Sequence, residues 1–229
     1  MKYINMKKTI CSFSIISLLI LFSSCGKDNY DEPESTLTGK ITYNGEAINV
    51  RGTDERVRLQ LYQDGYDKHD PIEVFVGQEG TFSAKLFNGQ YKMVTRNNNG
   101  PWVNTRDTTL ITVNGSTTIE FKVTPYFTIS NAEISLSGNT MNASLTINRI
   151  VATAEIDRVI LLLNSTTFVD DGFNVLRKDF TGDDAKTGQV NYTAELNEKA
   201  LNAKFLFGRI CVWTKGADQG IYSQVVKLK

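Results

Sequence analysis

The sequence predicts an all-β protein in which a signal peptide and a short tether precede two tandem β-sandwich domains. From residue 37 onward, short runs of alternating apolar and polar residues recur, as is typical of half-buried strands. Four of these runs end at Asn-Gly or Asp-Gly pairs, which suit the positive φ angles of tight hairpin turns. No segment keeps a helical period, and residues 197–203 allow at most one or two helical turns.

The N-terminus has the pattern of a lipoprotein signal peptide. Three lysines, an apolar run over residues 10–22 and two serines precede Cys25 in that order. This order resembles a bacterial lipobox, which implies cleavage before Cys25 and lipidation of its thiol. The run is shorter than the roughly 20 residues of a transmembrane helix, so an ordinary cleaved signal peptide is the better alternative. Residues 1–24 are therefore predicted as the signal peptide and residues 25–36, which are rich in acidic residues, as a tether.

A lipid on Cys25 would also determine where the protein is located. Two or three acyl chains hold a protein firmly to a bilayer, because each buried methylene group contributes about 0.8 kcal/mol. Acidic residues soon follow Cys25, and they resemble the export signal by which Bacteroidetes lipoproteins reach the outer face of the outer membrane. We therefore expect a protein anchored to the outer membrane through Cys25 and facing the cell exterior.

Charge and cysteine content exclude two further possibilities. Cleavage removes three of the 25 basic residues and none of the 25 acidic ones, so the mature chain carries a net charge of about −3 and nothing indicates a nucleic-acid partner. Cys11 leaves with the signal peptide and Cys25 is lipidated, so Cys211 has no partner for an intrachain disulfide. Stability must therefore come from hydrophobic cores.

Residues 37–124 are predicted to form the first sandwich. The expected strands lie at residues 37–43, 57–62, 72–76, 82–86, 91–95, 111–113 and 119–123. The motifs GKITYNG at residues 39–45, GTF at residues 80–82 and NGQY at residues 88–91 resemble those of the carboxypeptidase-regulatory-like, transthyretin-like sandwich. The resemblance implies the same fold for this domain.

Residues 125–229 are predicted to form a second sandwich of the immunoglobulin-like or fibronectin-III-like type. Pro125 marks the boundary because it lacks the N–H group that a central strand must donate. Residues 159–163 are continuously aliphatic, as expected for a strand buried on both faces. Residues 164–188 are polar and are interpreted as a long loop. Three phenylalanines are interpreted as anchors of this loop: Phe168, Phe173 and Phe180.

Together, the lipobox and the two domains resemble a Bacteroidetes outer-membrane lipoprotein family of unknown function. Members of that family are often encoded beside Sus-like glycan-uptake genes. The resemblance implies a polysaccharide or oligosaccharide as the ligand and Sus-like outer-membrane uptake proteins as partners.

The residues argue against catalysis. His69 is the only histidine, so a zinc site with several imidazoles is excluded and a Ser-His-Asp triad would have to use it. The sequence contains no Gly-x-Ser-x-Gly motif, and Cys211 lies on an apolar strand, as a buried inert thiol would. The pairs Asp170-Asp171 and Asp183-Asp184 could bind Ca²⁺, but a solvated surface is the favoured interpretation. We expect no enzyme activity, no cofactor and no metal site.

Trp102 and Tyr66 are the candidate ligand-binding residues. Trp102 follows an asparagine-rich loop at residues 97–101, whose amides could bond to sugar hydroxyls, and Tyr66 lies in a second polar loop. Most other aromatic residues fall on strand positions and are interpreted as core. The favoured alternative is that Trp102 packs at the end of the first sandwich or between the domains.

Two functions therefore remain open. The first is a surface-anchored, non-catalytic lipoprotein that binds glycan as an accessory to polysaccharide uptake. The alternative is a structural or docking component that contacts other envelope proteins and binds no glycan. Glycan binding predicts exposed, coplanar aromatic side chains, whereas docking predicts an apolar patch without such a coplanar set.

The lipobox generates the first testable prediction. We expect protein extracted from membranes to carry acyl chains on an N-terminal Cys25, and the intact mass of the extracted protein measures this directly. A soluble chain that begins at another residue and carries no lipid would contradict the prediction.

Overall fold

Sixteen β-strands, one short α-helix and one 3₁₀ turn make up the regular structure of the described residues. The structure, a computed structural model, describes residues 31–65 and 69–229. The strands form four sheets, two in each half of the chain. The prediction of an all-β protein with two tandem β-sandwich domains is confirmed. In these ranges no helix is long and apolar enough to cross a membrane.

The first domain contains eight strands in two sheets of four. They are β1 Ser35–Tyr43, β2 Glu46–Ala47, β3 Arg58–Tyr62, β4 Ile72–Phe75, β5 Thr81–Leu86, β6 Gly89–Thr95, β7 Thr109–Val113 and β8 Ser116–Lys122. One sheet joins β1 to β2, β5 and β8, and the other has the order β4-β3-β6-β7. The apolar residues of the predicted alternation face the space between these sheets.

Strand β1 is the centre of the first sheet. It pairs antiparallel with β5 and parallel with β8, so both of its edges are occupied. Leu37 and Ile41 are fully buried in the core on either side of Gly39. A Cβ atom at Gly39 would lie 2.4 Å from the Phe82 ring and 2.6 Å from the carbonyl oxygen of Ile119. Glycine is therefore required for these strands to approach each other.

The second domain combines a three-stranded and a five-stranded sheet. Its elements are β9 Phe127–Ser137, β10 Thr140–Arg149, β11 Ile156–Asn164, β12 Leu176–Thr181, β13 Gly188–Glu195, α1 Glu198–Asn202, β14 Phe207–Thr214, β15 Ile221–Tyr222 and β16 Val226–Lys227. The smaller sheet has the order β13-β10-β9. The larger has the order β12-β11-β14-β15, and β16 also pairs with β14.

Strand β11 is buried on both faces, as its aliphatic sequence predicts. Every residue of the run at residues 159–163 is fully buried. Alternate residues of this run point into the main core, whereas Ile160 and Leu162 pack with Cys211 and Tyr222 in a separate small cluster. The second face of this part of the larger sheet is therefore also covered.

The interpretation of residues 164–188 as one long loop is wrong, because they include strand β12. This strand lies at the edge of its sheet and contains Arg177, Lys178 and Asp179, and charged residues are typical of edge strands. Since its central residues are charged, its sequence shows no clear apolar alternation. Phe180 does pack, with its ring centroid 4.5 Å from that of Tyr192.

Backbone pairing between residues 101–103 and 124–126, where the chain passes from the first domain to the second, connects the two domains. The amide of Val103 donates to the carbonyl of Thr124 at 2.9 Å, and the amide of Tyr126 donates to the carbonyl of Pro101 at 3.1 Å. Between these bonds, Trp102 and Pro125 form an isolated antiparallel bridge. Pro125 can occupy this position because the neighbouring residues supply the N–H donors.

A second connection depends on Arg209 of β14, which is fully buried. Its guanidinium donates to four backbone carbonyls and lies over the Tyr222 ring, 4.5 Å from the ring centroid. The four acceptors are the carbonyl oxygens of Ser223 at 2.8 Å, Gln78 at 2.9 Å, Val50 at 3.0 Å and Val169 at 3.3 Å. Since Val50 and Gln78 belong to the first domain, this side chain bonds the two domains together.

Replacing Arg209 with methionine should destabilise the protein by about 3 kcal/mol or more, because hydrogen bonds to charged groups contribute about 1.5–3 kcal/mol each. The four carbonyls belong to both domains, so we also expect unfolding in scanning calorimetry to separate into two transitions. Arg149→Met, at an exposed strand end, is the matched control and should leave the melting temperature nearly unchanged. An Arg209→Met protein with wild-type melting behaviour would show that these bonds do not hold the domains together.

Candidate functional site

A groove with a volume of about 660 Å³ lies where the two domains meet. Ligand sites in proteins typically have volumes of about 300–1,000 Å³. The β1–β2 hairpin of the first domain contributes one part of its lining. Strands β9 and β10, Ile150 and residues 221–226 of the second domain contribute the rest. We call this site the interdomain groove.

A β-bulge in β9 shapes the second-domain side of the interdomain groove. The pairing register shifts between Ser144 and Thr146 of β10, so that Asn131 and Ala132 both lie opposite Leu145. Asn131 adopts a positive φ of 51°, a conformation that asparagine tolerates better than most residues. A bulge bends its strand and redirects the neighbouring side chains, and here the bulged residues line the groove.

Uncharged hydrogen-bonding side chains make up much of the lining. They include Asn49, Thr128, Ser130, Asn131, Asn148 and Gln224. The amide of Asn148 donates to the hydroxyl oxygen of Thr128 at 3.3 Å and to that of Ser130 at 3.0 Å, which orients all three groups. Among the described lining residues, Glu46 alone is charged. Amides and hydroxyls can both donate and accept, so the lining suits a neutral ligand with many hydroxyl groups.

Apolar side chains supply the other part of the lining. Tyr43, Ile129, Ile150 and Val225 are all half-buried, so each has a covered side and an accessible side. An aromatic ring beside aliphatic groups can contact the apolar face of a sugar ring while the amides bond to its hydroxyls. The interdomain groove therefore combines the two kinds of contact that a carbohydrate requires.

The interdomain groove is held in place by backbone contacts between the domains. The amide of Tyr222 donates to the carbonyl of Asn49 at 3.0 Å, and both of these residues line the groove. The next residue, Ser223, accepts from Arg209 through its carbonyl oxygen. Because these bonds fix the two sides relative to each other, the groove is formed before any ligand arrives.

Asp170 is fully buried, so the interpretation of the Asp170-Asp171 pair as solvated surface is wrong for this residue. Its carboxylate accepts from the Thr53 hydroxyl at 2.8 Å and from the amides of Gly172 and Phe173 at 3.0 and 2.9 Å. These donors occupy the carboxylate oxygens that a calcium ion would need. In the described part of the chain, no group of three or more His, Cys, Asp and Glu side chains could hold a metal ion. Asp183 and Asp184 are exposed.

Asp171, like Asp170, bonds to a residue of the first domain. It accepts from the Tyr222 hydroxyl at 2.5 Å and from Arg51 at 3.2 Å. Burial lowers the pKa of Arg51, but the neighbouring Asp171 and Asp170 outweigh this effect and raise the pKa overall. Burial, Cys211 and Asp171 raise the pKa of Tyr222 well above its usual value, so the phenol remains a donor.

Trp102 is fully buried, and the prediction that it forms a stacking platform is therefore wrong. Its ring covers Gly100, where a Cβ atom would lie 2.3 Å from the indole. Gly100 has a φ of 113°, which lets the chain turn back beneath the ring. Trp102 instead packs in the core beside the junction of the two domains.

Four other residues were singled out in the sequence: Cys25, Tyr66, His69 and Cys211. Cys25 and Tyr66 lie outside the described residues, so both remain predictions. His69 is exposed in a loop. Cys211 is fully buried, and burial raises the pKa of its thiol, as expected for an unreactive cysteine.

The prediction that Phe168 and Phe173 anchor their loop is wrong. Phe168 and Phe173 are each 52% exposed, although they were interpreted as anchors of their loop. Asp170, between them in sequence, anchors this loop instead, through its bonds to Thr53. The loop therefore presents two phenylalanines to solvent from a fixed base.

Models of one family match nearly all of the described chain. The N-terminal domain of DUF3823, a protein of unknown function, matches residues 35–124. The domain of unknown function DUF3823_C matches residues 127–227. No curated protein matches this sequence.

Solved structures of similar proteins come from Parabacteroides and Bacteroides species. A DUF3823 family protein from Parabacteroides merdae is 53% identical, with a TM-score of 0.83, and the alignment covers 87% of this chain and 100% of that one. A second, from Bacteroides ovatus, is 33% identical, with a TM-score of 0.78 and coverage of 86% and 98%. A protein from Bacteroides uniformis, described as a "putative carbohydrate binding protein", shares the fold at 16% identity, with a TM-score of 0.69 and coverage of 86% and 99%. The family matches and these identities show that the chain belongs to the DUF3823 family.

Proposed function

We propose that this protein is a non-catalytic, surface-anchored lipoprotein that binds a glycan in the interdomain groove as an accessory to polysaccharide uptake. The lipobox at Cys25 supports the anchor. The acidic residues that follow Cys25 support its outward orientation on the outer membrane. Sus-like outer-membrane uptake proteins are the proposed partners, and an oligosaccharide segment of a polysaccharide is the proposed ligand.

The composition of the groove lining is the observation that carries the glycan proposal. Amide and hydroxyl groups lie beside Tyr43 and three aliphatic side chains in a cleft large enough for several sugar units. The description of the Bacteroides uniformis protein as a "putative carbohydrate binding protein" agrees with this proposal.

The same lining supports binding without hydrolysis. Glycosidases usually need two carboxyl groups on opposite sides of the scissile bond, about 5–10 Å apart. Glu46 supplies a single carboxylate among the described lining residues, and it lies on the exposed β2 strand. A bound sugar would therefore meet hydrogen-bonding groups but no acid–base pair.

The test is retention of the protein by neutral polysaccharides in native affinity gels. We expect at least one polysaccharide of a broad panel to retard the wild-type protein. Tyr43→Ala should weaken this binding about thirtyfold, because truncation of a central aromatic contact typically costs about 2 kcal/mol.

Tyr62→Ala is the matched control, since Tyr62 is also half-buried on a first-domain strand but lies outside the lining. It should leave retention unchanged, and melting curves of both variants separate binding from folding. Wild-type protein that no neutral polysaccharide retards, or Tyr43→Ala protein that binds as tightly as the wild type, would refute glycan binding in the groove.

A second candidate function, docking to another envelope protein, is favoured by the exposure of Phe168 and Phe173. Exposed aromatic residues on a fixed loop are typical of protein interfaces. In this alternative, the loop and not the groove would contact the Sus-like uptake proteins.

The double variant Phe168→Ser/Phe173→Ser tests this alternative. Docking predicts that the variant no longer co-purifies with the uptake proteins from detergent-extracted membranes. The control Phe87→Ser/Phe205→Ser removes two phenylalanines of similar exposure, 47% and 45%, elsewhere on the surface. Equal co-purification of the two variants would exclude docking through this loop.

A further inference from the structure

A second cavity, chemically unlike the interdomain groove, lies beside the first-domain loops. Its volume is about 340 Å³, and every residue that lines it is polar or charged. The lining consists of Glu55, Arg56, Arg58, Arg96, residues 97–99 and Asp218. We call this cavity the arginine pocket.

The arginines of this pocket have few partners within the protein. Elsewhere, Arg51, Arg158 and Arg177 each form an ion pair with aspartate. In contrast, no ion pair or hydrogen bond to another described residue engages the guanidinium of Arg56 or Arg96. Two sets of guanidinium donors are therefore available to a ligand.

Arg58 is held in position at the edge of the same pocket. Its Nε donates to the carbonyl of Glu55 at 2.8 Å, and its guanidinium lies over the Phe75 ring, 4.9 Å from the ring centroid. These contacts leave its terminal nitrogens without a hydrogen bond to a described residue. A third guanidinium is thus oriented before any ligand binds.

Asn99 gives the pocket a rigid base. It is buried, accepts from the amide of Arg58 at 2.7 Å and donates to the carbonyl of Arg56 at 2.7 Å. Asp218 closes the pocket from the second domain and is itself held by Gln219 at 2.9 Å. The backbone that carries Arg56 and Arg58 is therefore fixed by Asn99, and Asp218 adds a carboxylate from the second domain.

The balance of charge selects the kind of anion. Three guanidinium groups face two carboxylates, those of Glu55 and Asp218, so the pocket has an excess of one positive charge. This excess matches a carboxylate, which carries one negative charge at neutral pH, better than a phosphate, which carries nearly two. The planar guanidinium fork bonds to a carboxylate through two parallel hydrogen bonds.

We propose that the arginine pocket binds the carboxylate of a uronic acid residue. Asn97 and Asn98 are exposed in the same lining and can bond to the ring hydroxyls. The inference rests on the proposed function only in taking the ligand to be a glycan. Asp218 lines this pocket and residues 221–226 line the interdomain groove, so one C-terminal segment contributes to both sites.

Heteronuclear NMR titration of the mature chain with monosaccharides tests the proposal. Glucuronate and galacturonate are the probes, and glucose and galactose are their matched controls, because each pair differs only in the carboxylate. We expect the uronates to shift the resonances of Arg56, Arg58 and Arg96 and to bind at least about tenfold more tightly than the neutral sugars. Uronates that bind no better than neutral sugars would overturn the proposal.

Variants then assign the binding to these side chains. Arg56→Gln/Arg96→Gln should abolish the preference for uronates, whereas Lys85→Gln/Arg106→Gln removes the same charge from exposed positions outside the lining and should preserve it. If both double variants lose the preference for uronates equally, net charge alone explains that preference and a specific pocket is refuted. Inorganic phosphate that binds as tightly as the uronates would refute the carboxylate assignment.

The groove variant separates this inference from the proposed function. Tyr43→Ala should leave the uronate titration unchanged, because Tyr43 does not line the arginine pocket. If no neutral polysaccharide is retained but the arginine-dependent preference for uronates is present, the groove proposal fails and the pocket proposal stands. If a neutral polysaccharide is retained but the preference for uronates is absent, the pocket proposal fails and the groove proposal stands.

Discussion

The relation between the two domains depends on the buried guanidinium of Arg209. Burial lowers the pKa of Arg209, yet an arginine side chain remains charged in proteins, so its N–H groups must find acceptors without water. Carbonyls from both domains and from the loop at residues 165–175 supply them. Arg51 lies in the same interface and forms ion pairs with Asp170 and Asp171 of the second domain. These directional polar contacts therefore fix the position of one domain relative to the other.

This constraint extends to both candidate sites. Arg209 bonds to the carbonyl of Val50, the residue after Asn49 of the groove, and to the carbonyl of Ser223, which lines the groove directly. Asp218, in the segment that follows β14, closes the arginine pocket. A site with both sides fixed in advance loses little conformational entropy when a ligand binds. Rigid coupling of the domains therefore favours binding at their junction.

The sequence predicted the strands well where alternation reflects a buried and an exposed face, as in β1 and β3, and where both faces are buried, as in β11. It failed for β12, whose position at a sheet edge permits charged residues on both faces and so removes the pattern. The C-terminal segment pairs with β14 through two short strands, β15 and β16. Between them, Ser223 bonds to the amide of Ile210 through its hydroxyl and to Arg209 through its carbonyl.

The candidate sites were less accessible to sequence reasoning, because exposure of a loop residue depends on which distant segment covers it. Trp102 and Phe168 both lie in polar stretches, yet Trp102 is fully buried and Phe168 is exposed. Arg209 was the available clue: an arginine within an apolar strand must be satisfied by partners, and these commonly come from another segment. In this chain the buried Arg209 lies at the domain interface, whereas the loop residue Trp102 lies in the core.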